Sequence, residues 1–385
     1  MKLTATILKK LQILNKNKKI IISANSSWNI YNFRRELICE LENNNYQIVV
    51  VSPKDKYTKK INGKDIKCIN IKIDRKSIFL LNNLKTFITY IKIFFVEKPN
   101  MFLSYTIKPT IIGTLASLFF PSIKVYNNIT GLGTFFFKRN LLYFIILFFY
   151  KIIFFKSTKV FFQNSEDLKF FINNKIIKKN KSFLINGSGV NTEYFYFKEL
   201  NKRNKTKLIF VMISRLIWDK GIKEYVYAAE EVKKEFPNIK FYLLGDFDNY
   251  NKSCVDSNFI DKYVNSNYIE HYNFVDDVRP YIINSDCVVL PSYREGTSKI
   301  LLEAASMGRP IITSNVSGCN NIVENNINGY LCEKKNIKSL VDCIIKFINL
   351  EFSFKKKMSR NGRKKIMDKF DSSIINKKII KNLNF

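Results

Sequence analysis

The chain has 385 residues, 64 Lys and Arg against 32 Asp and Glu, and a single histidine. At roughly 100–200 residues per domain this length predicts two domains, and a hydrophobic share of 46% excludes wholesale disorder. The formal charge of +32 points to an anionic partner, whether nucleic acid, a membrane surface or a phosphorylated substrate. A chain crowded with Lys, Asn, Ile, Tyr and Phe also arises by drift in an AT-rich genome, so where the charge lies says more than its total. Residues 1–200 carry 33 basic and 11 acidic residues, and residues 201–385 carry 31 and 21. His271 alone cannot form a histidine cluster for a metal and leaves few routes to Ser-His chemistry. Seven scattered cysteines with no C-x-x-C pair read as a reduced, cytosolic chain without zinc. The apolar stretch Leu3–Leu8 runs into Lys9 and Lys10 and is too short for a signal peptide.

In chain order, Leu3, Ile7, Leu11 and Leu14 stand at helical spacing among lysines. They predict a basic amphipathic helix, packed either on a lipid surface or on its own domain. Strands are predicted at Lys19–Ser23, Gln47–Val51, Ile66–Ile71, Met101–Ser104, Lys124–Asn128, Lys159–Gln163 and Ser182–Leu184. Helices between them are predicted at Asn32–Asn43, Leu80–Glu97 and Thr110–Phe120. This alternation means a doubly wound parallel sheet. The apolar run Leu141–Phe155, interrupted by Lys151, is shorter than the roughly 20 residues a spanning helix needs. It predicts a core helix or one half-sunk in a membrane surface. The charged stretch Lys198–Lys207 reads as a linker, after which the alternation restarts. Strands are predicted at Leu208–Ile213, Lys240–Leu244, Tyr268–Glu270, Cys287–Pro291, Pro310–Ser314 and Gly329–Leu331. The helices are Ile222–Phe236, Val278–Asn284, Ser298–Met307, Ile337–Leu350, Phe354–Lys369 and Ser372–Leu383.

The densest chemistry lies in Cys287–Pro310, CVVLPSYREGTSKILLEAASMGRP. A strand runs into a loop with Gly296 and then into a helix. The amides of Thr297, Ser298, Lys299 and Ile300 are the expected unpaired first-turn donors, which with the helix dipole make an anion site. Glu295 precedes the helix and Glu303 lies in its second turn, so one acid faces a sugar and the other a ribose. In Val211–Gly221, VMISRLIWDKG, Arg215 and Lys220 follow a strand. Two cations there can offset the charge of a leaving diphosphate without a metal.

Taken together, RLIWDKG, LLGD at Leu243–Asp246, VDDVRPYI, EGTSKILLEAASMGRP and SNVSGCNNIVENNINGYL resemble family 4 of the retaining glycosyltransferases. In the first half, SANSSWNIYNFRREL, SYTIKPTIIGTLAS, NNITGLGTFF, FFQNSED and NGSGVN are similar to the branch that builds lipid-linked oligosaccharides, capsule and O-antigen units. The resemblance implies a GT-B fold, two Rossmann-like doubly wound domains facing a cleft, with a C-terminal helix crossing back to the first. The implied boundaries are 1–200 for an acceptor-binding, membrane-facing domain, 201–368 for a nucleotide-sugar domain and 369–385 for the returning helix.

It also implies roles. Arg215 and Lys220 hold the donor diphosphate, Glu295 the donor-sugar hydroxyls and Glu303 the ribose. The stretch Gly296, Thr297, Ser298, Lys299 and Ile300 binds phosphate, Gly131 and Gly133 give a flexible loop that closes on donor or acceptor, and the base sits near Tyr272–Val275. Trp28, Arg34 and Lys108 are the candidate acceptor residues. Trp28 either stacks on a sugar or fills the domain top, and of Arg34 and Arg35 one reaches an acceptor phosphate or both are solvated. The implied partners are a UDP-sugar, a polyprenyl-diphosphate-linked acceptor and an anionic membrane surface on the cytoplasmic face of the inner membrane, with no metal or cofactor.

Several positions depart from the family pattern. Ser26-Ser27-Trp28 replaces a Gly-Gly pair, Thr106 and Lys108 follow the strand after which many relatives carry a histidine, and Ser298 replaces a proline. Asn273 replaces a glycine and is tolerable if left-handed. His271, at a strand end, is expected to be structural or on the surface. A nucleic-acid-binding protein would need a groove-entering helix or stacking aromatics on a sheet. A dinucleotide-dependent oxidoreductase would need G-x-G-x-x-G after a first strand. Neither pattern occurs. A soluble synthase with a non-lipid acceptor remains the alternative within the transferases.

Overall fold

The computed structural model describes residues 18–61, 63, 66–74, 80–131, 141–249 and 251–383. The chain divides into two compact units, one of residues 1–188 with 375–385 and the other of 189–374. The division falls at Ser188–Gly189, twelve residues ahead of the expected boundary. The reason is that Lys198–Lys207 is tied down rather than free. Arg203 pairs with buried Asp286 at 3.3 Å, Arg309 donates to the Lys198 carbonyl at 3.0 Å, and Glu199 pairs with Arg360 at 2.8 Å.

The first unit is a seven-stranded sheet in the order β3-β2-β1-β4-β5-β6-β7. Its strands are β1 (Lys19–Ser23), β2 (Gln47–Ser52), β3 (Ile66–Asn70), β4 (Met101–Tyr105), β5 (Lys124–Ile129), β6 (Lys159–Phe162) and β7 (Ser182–Leu184). Every pairing is parallel. Near-continuous apolar runs such as KIIIS and QIVVVS suit strands covered on both faces. One face packs on helix α1 (Ser27–Asn43) and on Ile375, Ile379 and Leu383 from the far end of the chain. The other is covered by α2 (Leu80–Glu97), a helical stretch 109–119, α3 (Leu141–Lys156) and α4 (Ser165–Asn173).

The run at 141–155 is a helix with one face in the core and an exposed apolar face. In α3, Tyr150, Ile153 and Phe154 are core, while Leu141, Phe144, Ile145, Phe148 and Phe155 are exposed, the last by 86%. Leu84, Ile88, Phe95 and Val96 of α2 and Leu118 and Phe119 are exposed beside them. This layer therefore holds eleven of the nineteen large exposed hydrophobics among the described residues. Within the described residues no helix is long and apolar enough to cross a membrane. The proposed helix at 1–18 lies outside the described residues, apart from Lys18.

Two helices escaped the sequence reading. Asn164 caps α4 by accepting from the Asp167 amide at 2.8 Å, with Glu166 and Asp167 in the first turn. Asp256 likewise caps Ser257–Asn265. Both are polar starts followed by short amphipathic runs. Helix α1 also begins earlier than expected, because Ser26 caps it by accepting from the Asn29 amide at 3.1 Å.

The second unit is a six-stranded parallel sheet, β10-β9-β8-β11-β12-β13. Its strands are β8 (Ile209–Ile213), β9 (Lys240–Leu244), β10 (Glu270–Tyr272), β11 (Cys287–Leu290), β12 (Ile311–Ser314) and β13 (Gly329–Cys332). Parallel α/β sheets take ligands beyond the carboxyl ends of their strands, where the strand order reverses direction. In the first unit this point lies between β1 and β4, and in the second between β8 and β11.

Candidate active site

At the reversal point of the second sheet, the loop after β8 and the loop after β11 are zipped together. The Tyr293 amide donates to the Asp219 carbonyl at 2.8 Å, and Ser292 Oγ reaches the same oxygen at 3.2 Å. Gly221 sits at φ 79°, and a Cβ there would lie 2.1 Å from the Pro291 carbonyl oxygen. Only glycine permits both that conformation and that approach. The result brings Lys220 Nζ to 2.5 Å from Glu295 Oε1, with both side chains mostly buried at 20% and 12% exposure. Two residues that are 75 positions apart in sequence thus meet as an ion pair.

The Glu295 loop is held from its other side by Ser317 and Gly318. The Glu295 amide donates to the Ser317 carbonyl at 3.3 Å, and the Ser298 amide to the Gly318 carbonyl at 3.1 Å. Gly318, at φ 82°, would place a Cβ 2.5 Å from the Glu295 carbonyl oxygen. This corrects the expected donor set. The Ser298 amide is spent on Gly318, and Ser298 is the N-cap of the helix Lys299–Ser306. The first-turn amides of that helix are those of Lys299, Ile300 and Leu301. Glu303 lies on the same helix, 8% exposed, with Lys299 Nζ 3.8 Å from its Oε1. Gly296 and Thr297 occupy the loop between Glu295 and the cap.

Two residues of this site were not singled out from the sequence. Tyr293 donates its hydroxyl to both oxygens of buried Glu224, at 2.8 and 2.9 Å. Burial and then the Glu224 carboxylate push the Tyr293 pKa far up, so the phenol stays a donor. Gly318 is the other, and its signal was the turn-forming SG pair within SNVSGC.

Arg215 follows β8 but points to Asp248, Nη1 to Oδ2 at 2.6 Å, with its side chain 59% exposed. It is not in the Lys220–Glu295 pair. Gly245 of LLGD takes φ 144° against the Ser214 carbonyl, and Asp246 Oδ1 accepts from the Phe274 amide at 2.7 Å. Asn273 is not left-handed, being absent from the described non-glycine residues with positive φ. His271 is structural, with Nε2 3.0 Å from the Gly245 carbonyl oxygen and its ring edge-on to Phe247.

In the first unit, Trp28 lies in the first turn of α1, 36% exposed, with its amide on Asp55 Oδ2 and its ring edge-on to Phe33. Lys108 Nζ donates to the Asp74 carbonyl. Gly131 follows β5 at φ 129°, while Gly133 lies outside the described residues. Arg34 contradicts the solvated alternative, being only 2% exposed. It occupies a core position of α1 between Ile30 and Leu37, with its guanidinium 3.8 Å over the Tyr105 ring. A π-face contributes up to about 2 kcal/mol to a desolvated cation, whereas burying an ion costs several kcal/mol. Burial accordingly lowers the Arg34 pKa, opposed only by Tyr105.

Two parallel sheets of this connectivity, with charged loops at the reversal point of the second, make a two-domain doubly wound α/β architecture. The chain belongs to the GT-B glycosyltransferases: the "Glycosyl transferases group 1" model matches residues 196–365 and the "Glycosyl transferase 4-like" model residues 19–164. It is 29% identical over 366 residues to the N,N'-diacetylbacillosaminyl-diphospho-undecaprenol alpha-1,3-N-acetylgalactosaminyltransferase of Campylobacter jejuni, covering 91% of this chain and 94% of that one. It is also 29% identical to the capsular polysaccharide biosynthesis glycosyltransferase CapM of Staphylococcus aureus, over 87% and 89%. To the UDP-Gal:alpha-D-GlcNAc-diphosphoundecaprenol alpha-1,3-galactosyltransferase of Escherichia coli it is 25% identical, over 77% and 78%. The fold is shared with the sucrose-phosphate synthase of Thermosynechococcus elongatus, at TM-score 0.79 and 17% identity over 95% and 98%. It is likewise shared with HepE of Anabaena in complex with UDP and glucose, at TM-score 0.74 and 15% identity over 95% and 99%.

Proposed function

We propose that this chain moves a hexose or N-acetylhexosamine, with retention, from a UDP-sugar to a polyprenyl-diphosphate-linked sugar in surface polysaccharide synthesis. The observation that carries this reading is the Lys220–Glu295 pair, 2.5 Å apart at the reversal point of the second sheet and beside a helix start. An ammonium has three N–H donors. With one on Glu295, Lys220 retains two for the leaving diphosphate, and Glu295 retains an oxygen for the donor-sugar hydroxyls. The first-turn amides of the helix Lys299–Ser306 take phosphate, Glu303 takes the ribose, and Arg215 adds its charge by exchanging Asp248 for the donor.

Preorganised donors of this kind stabilise a developing oxyanion by about 3 kcal/mol each, so the reading invokes no metal and no cofactor. It also invokes no protein base. The acceptor hydroxyl attacks from the face the leaving group departs, and a donor phosphate oxygen takes its proton. Trp28, Arg34 and Lys108 are assigned to the acceptor, and Gly131 to the loop that closes over the donor. The printed activities of the Campylobacter and Escherichia relatives, both on undecaprenyl-diphosphate-linked sugars, support the acceptor class.

A lipid-linked acceptor requires access to a bilayer, and the layer formed by α2, 109–119 and α3 suits an anionic one on the cytoplasmic face. Its exposed apolar residues stand among Lys85, Lys92, Lys151 and Lys156, and its only acid is Glu97, buried and paired with Lys19 and Lys67. Each well-placed lysine adds up to about 1 kcal/mol at such a surface.

Thermal-shift measurement against nucleotide-sugars tests the donor. UDP-N-acetylhexosamines should raise the melting midpoint, and stabilisation by GDP- or ADP-sugars alone overturns the donor class. The anomeric configuration of the product, read by NMR, tests retention. Equal transfer to a free sugar phosphate and to a glycosyl-diphospholipid would favour the non-lipid acceptor instead.

A further inference from the structure

We propose that the reversal point of the first sheet holds a phosphate oxyanion of the acceptor, with Arg34 supplying the charge and Tyr105 and Asn128 supplying hydrogen bonds to the oxyanion and the adjoining sugar. This rests on the transferase reading above and names which end of the acceptor the first unit grips.

The argument begins with neighbouring asparagines on β5. Asn127 points to one face of the sheet and is fully used. Its Oδ1 accepts from Ser104 Oγ at 2.5 Å and Thr114 Oγ1 at 3.1 Å, and its Nδ2 donates to Ser157 Oγ at 2.7 Å. Asn128 points to the other face, is 1% exposed, and neither its Nδ2 nor its Oδ1 has a hydrogen-bond partner. Tyr105 pairs in register with Asn128 across β4 and β5, so both side chains leave the same face. The Tyr105 hydroxyl is equally buried and equally without a partner. Over that ring lies the Arg34 guanidinium, with its Nε buried and unbonded and, among the described residues, no carboxylate facing it. Buried polar groups are ordinarily satisfied, and unsatisfied ones mark function. Here three adjoining side chains break the rule together.

A fourth observation comes from the backbone. Thr106, the residue after Tyr105, takes φ 67°, a conformation that is a genuine outlier for a β-branched residue. It accepts from the Asn25 amide at 3.2 Å and so ties the loop after β4 to the loop after β1. Strain of this kind collects at ligand sites, and this one sits where the strand order reverses. The cation calls for an anion, the phenol for an oxygen, and the amide for a group that both donates and accepts. A sugar phosphate offers all three.

The test uses the full chain and three probes: farnesyl-diphospho-N-acetylglucosamine, inorganic diphosphate and UDP. Arg34→Met removes the charge and keeps the bulk. Its affinity for the glycosyl diphosphate should fall about tenfold or more, with the UDP response unchanged. Without ligand its melting temperature should equal the parent's or exceed it by about 2–4 °C, because an unpaired buried charge has been removed. Tyr105→Phe leaves the ring under Arg34 and loses only the hydroxyl, so it should weaken the same probe without lowering the melting temperature. Unchanged affinity in both variants, or an Arg34→Met melt well below the parent with unchanged affinity in Tyr105→Phe, overturns the proposal. Arg34-dependent binding of inorganic diphosphate or UDP as tight as that of the glycosyl diphosphate also overturns it. If the glycosyl diphosphate binds through Arg34 but no UDP-sugar is ever consumed, the site stands and the transferase reading falls.

Discussion

The two units present the same topological feature in opposite electrostatic states. At the reversal point of the second sheet the charges satisfy one another, Lys220 with Glu295 at 2.5 Å and Arg215 with Asp248 at 2.6 Å. At that of the first, Arg34 is buried against a π-face with no acid opposite among the described residues, and the side-chain polar atoms of Tyr105 and Asn128 beside it lack partners there. A paired site costs little to keep folded and exchanges one partner for another when a ligand arrives. An unpaired one is held at the expense of stability, and the surrounding core must over-determine it. The lesson is that a shared fold fixes where ligands go and leaves the charge state of the empty site to individual side chains.

The largest test of this contrast is at the paired site. Lys220→Ala should cut transfer by about 10²–10³-fold, the loss of one oxyanion-type donor, while far-UV circular dichroism stays unchanged. Near-normal turnover would show that the pair is only structural. Next comes the glycine that allows the two loops to meet. Gly221→Ala forces a Cβ to 2.1 Å from the Pro291 carbonyl at a left-handed φ. It should lower stability by about 1–3 kcal/mol and weaken UDP-sugar binding, measured by denaturant melts and calorimetry. Loss of stability without loss of binding would separate the loops' packing from their chemistry.

A smaller effect is expected on the outer layer of the first unit. Phe148→Ser should reduce flotation with phosphatidylglycerol vesicles by about tenfold, one aromatic side chain's worth of burial, and leave transfer to a soluble acceptor intact. Equal flotation of parent and variant would remove α3 from the docking surface. The smallest concerns Glu97. Burial pushes its pKa up, but the hydrogen-bonded ammoniums of Lys67 and Lys19, at 2.6 and 3.1 Å, outweigh this, and it is lowered from 4.5 in the folded state. Its contribution is therefore full above the ordinary carboxylate range and is lost as pH falls through the depressed folded value. Glu97→Gln should melt a few degrees below the parent at pH 7, and the gap should close as pH falls through the depressed folded value. A gap independent of pH would mean that packing rather than charge is responsible.

The alternation of strand and helix was legible because parallel strands buried on both faces read as unbroken apolar runs, and KIIIS and QIVVVS do. The Glu295 and Lys220 loops were legible as glycine-punctuated strand ends, although their 2.5 Å contact was not, since it depends on Gly221 backing onto Pro291. The first-turn donors were misassigned because Gly318 competes for the Ser298 amide, a long-range contact invisible to local rules. The stretch Lys198–Lys207 looked like a linker by composition and is anchored by Asp286, Arg309 and Arg360. The solvated alternative for Arg34 failed for a different reason. It occupies the apolar stripe of α1, four residues after Ile30 and three before Leu37, and the period was on view. Arginine's usual exposure masked it.

The first sheet's core is finished by Ile375, Ile379 and Leu383, which leave the ribosome only after every residue of the second unit. The unit that begins first is thus completed last. Until then the cluster they share with β1, β2 and β4 is incomplete. Vectorial synthesis therefore favours an early second unit that folds by itself and a first unit whose core is completed only once residues 375–383 emerge.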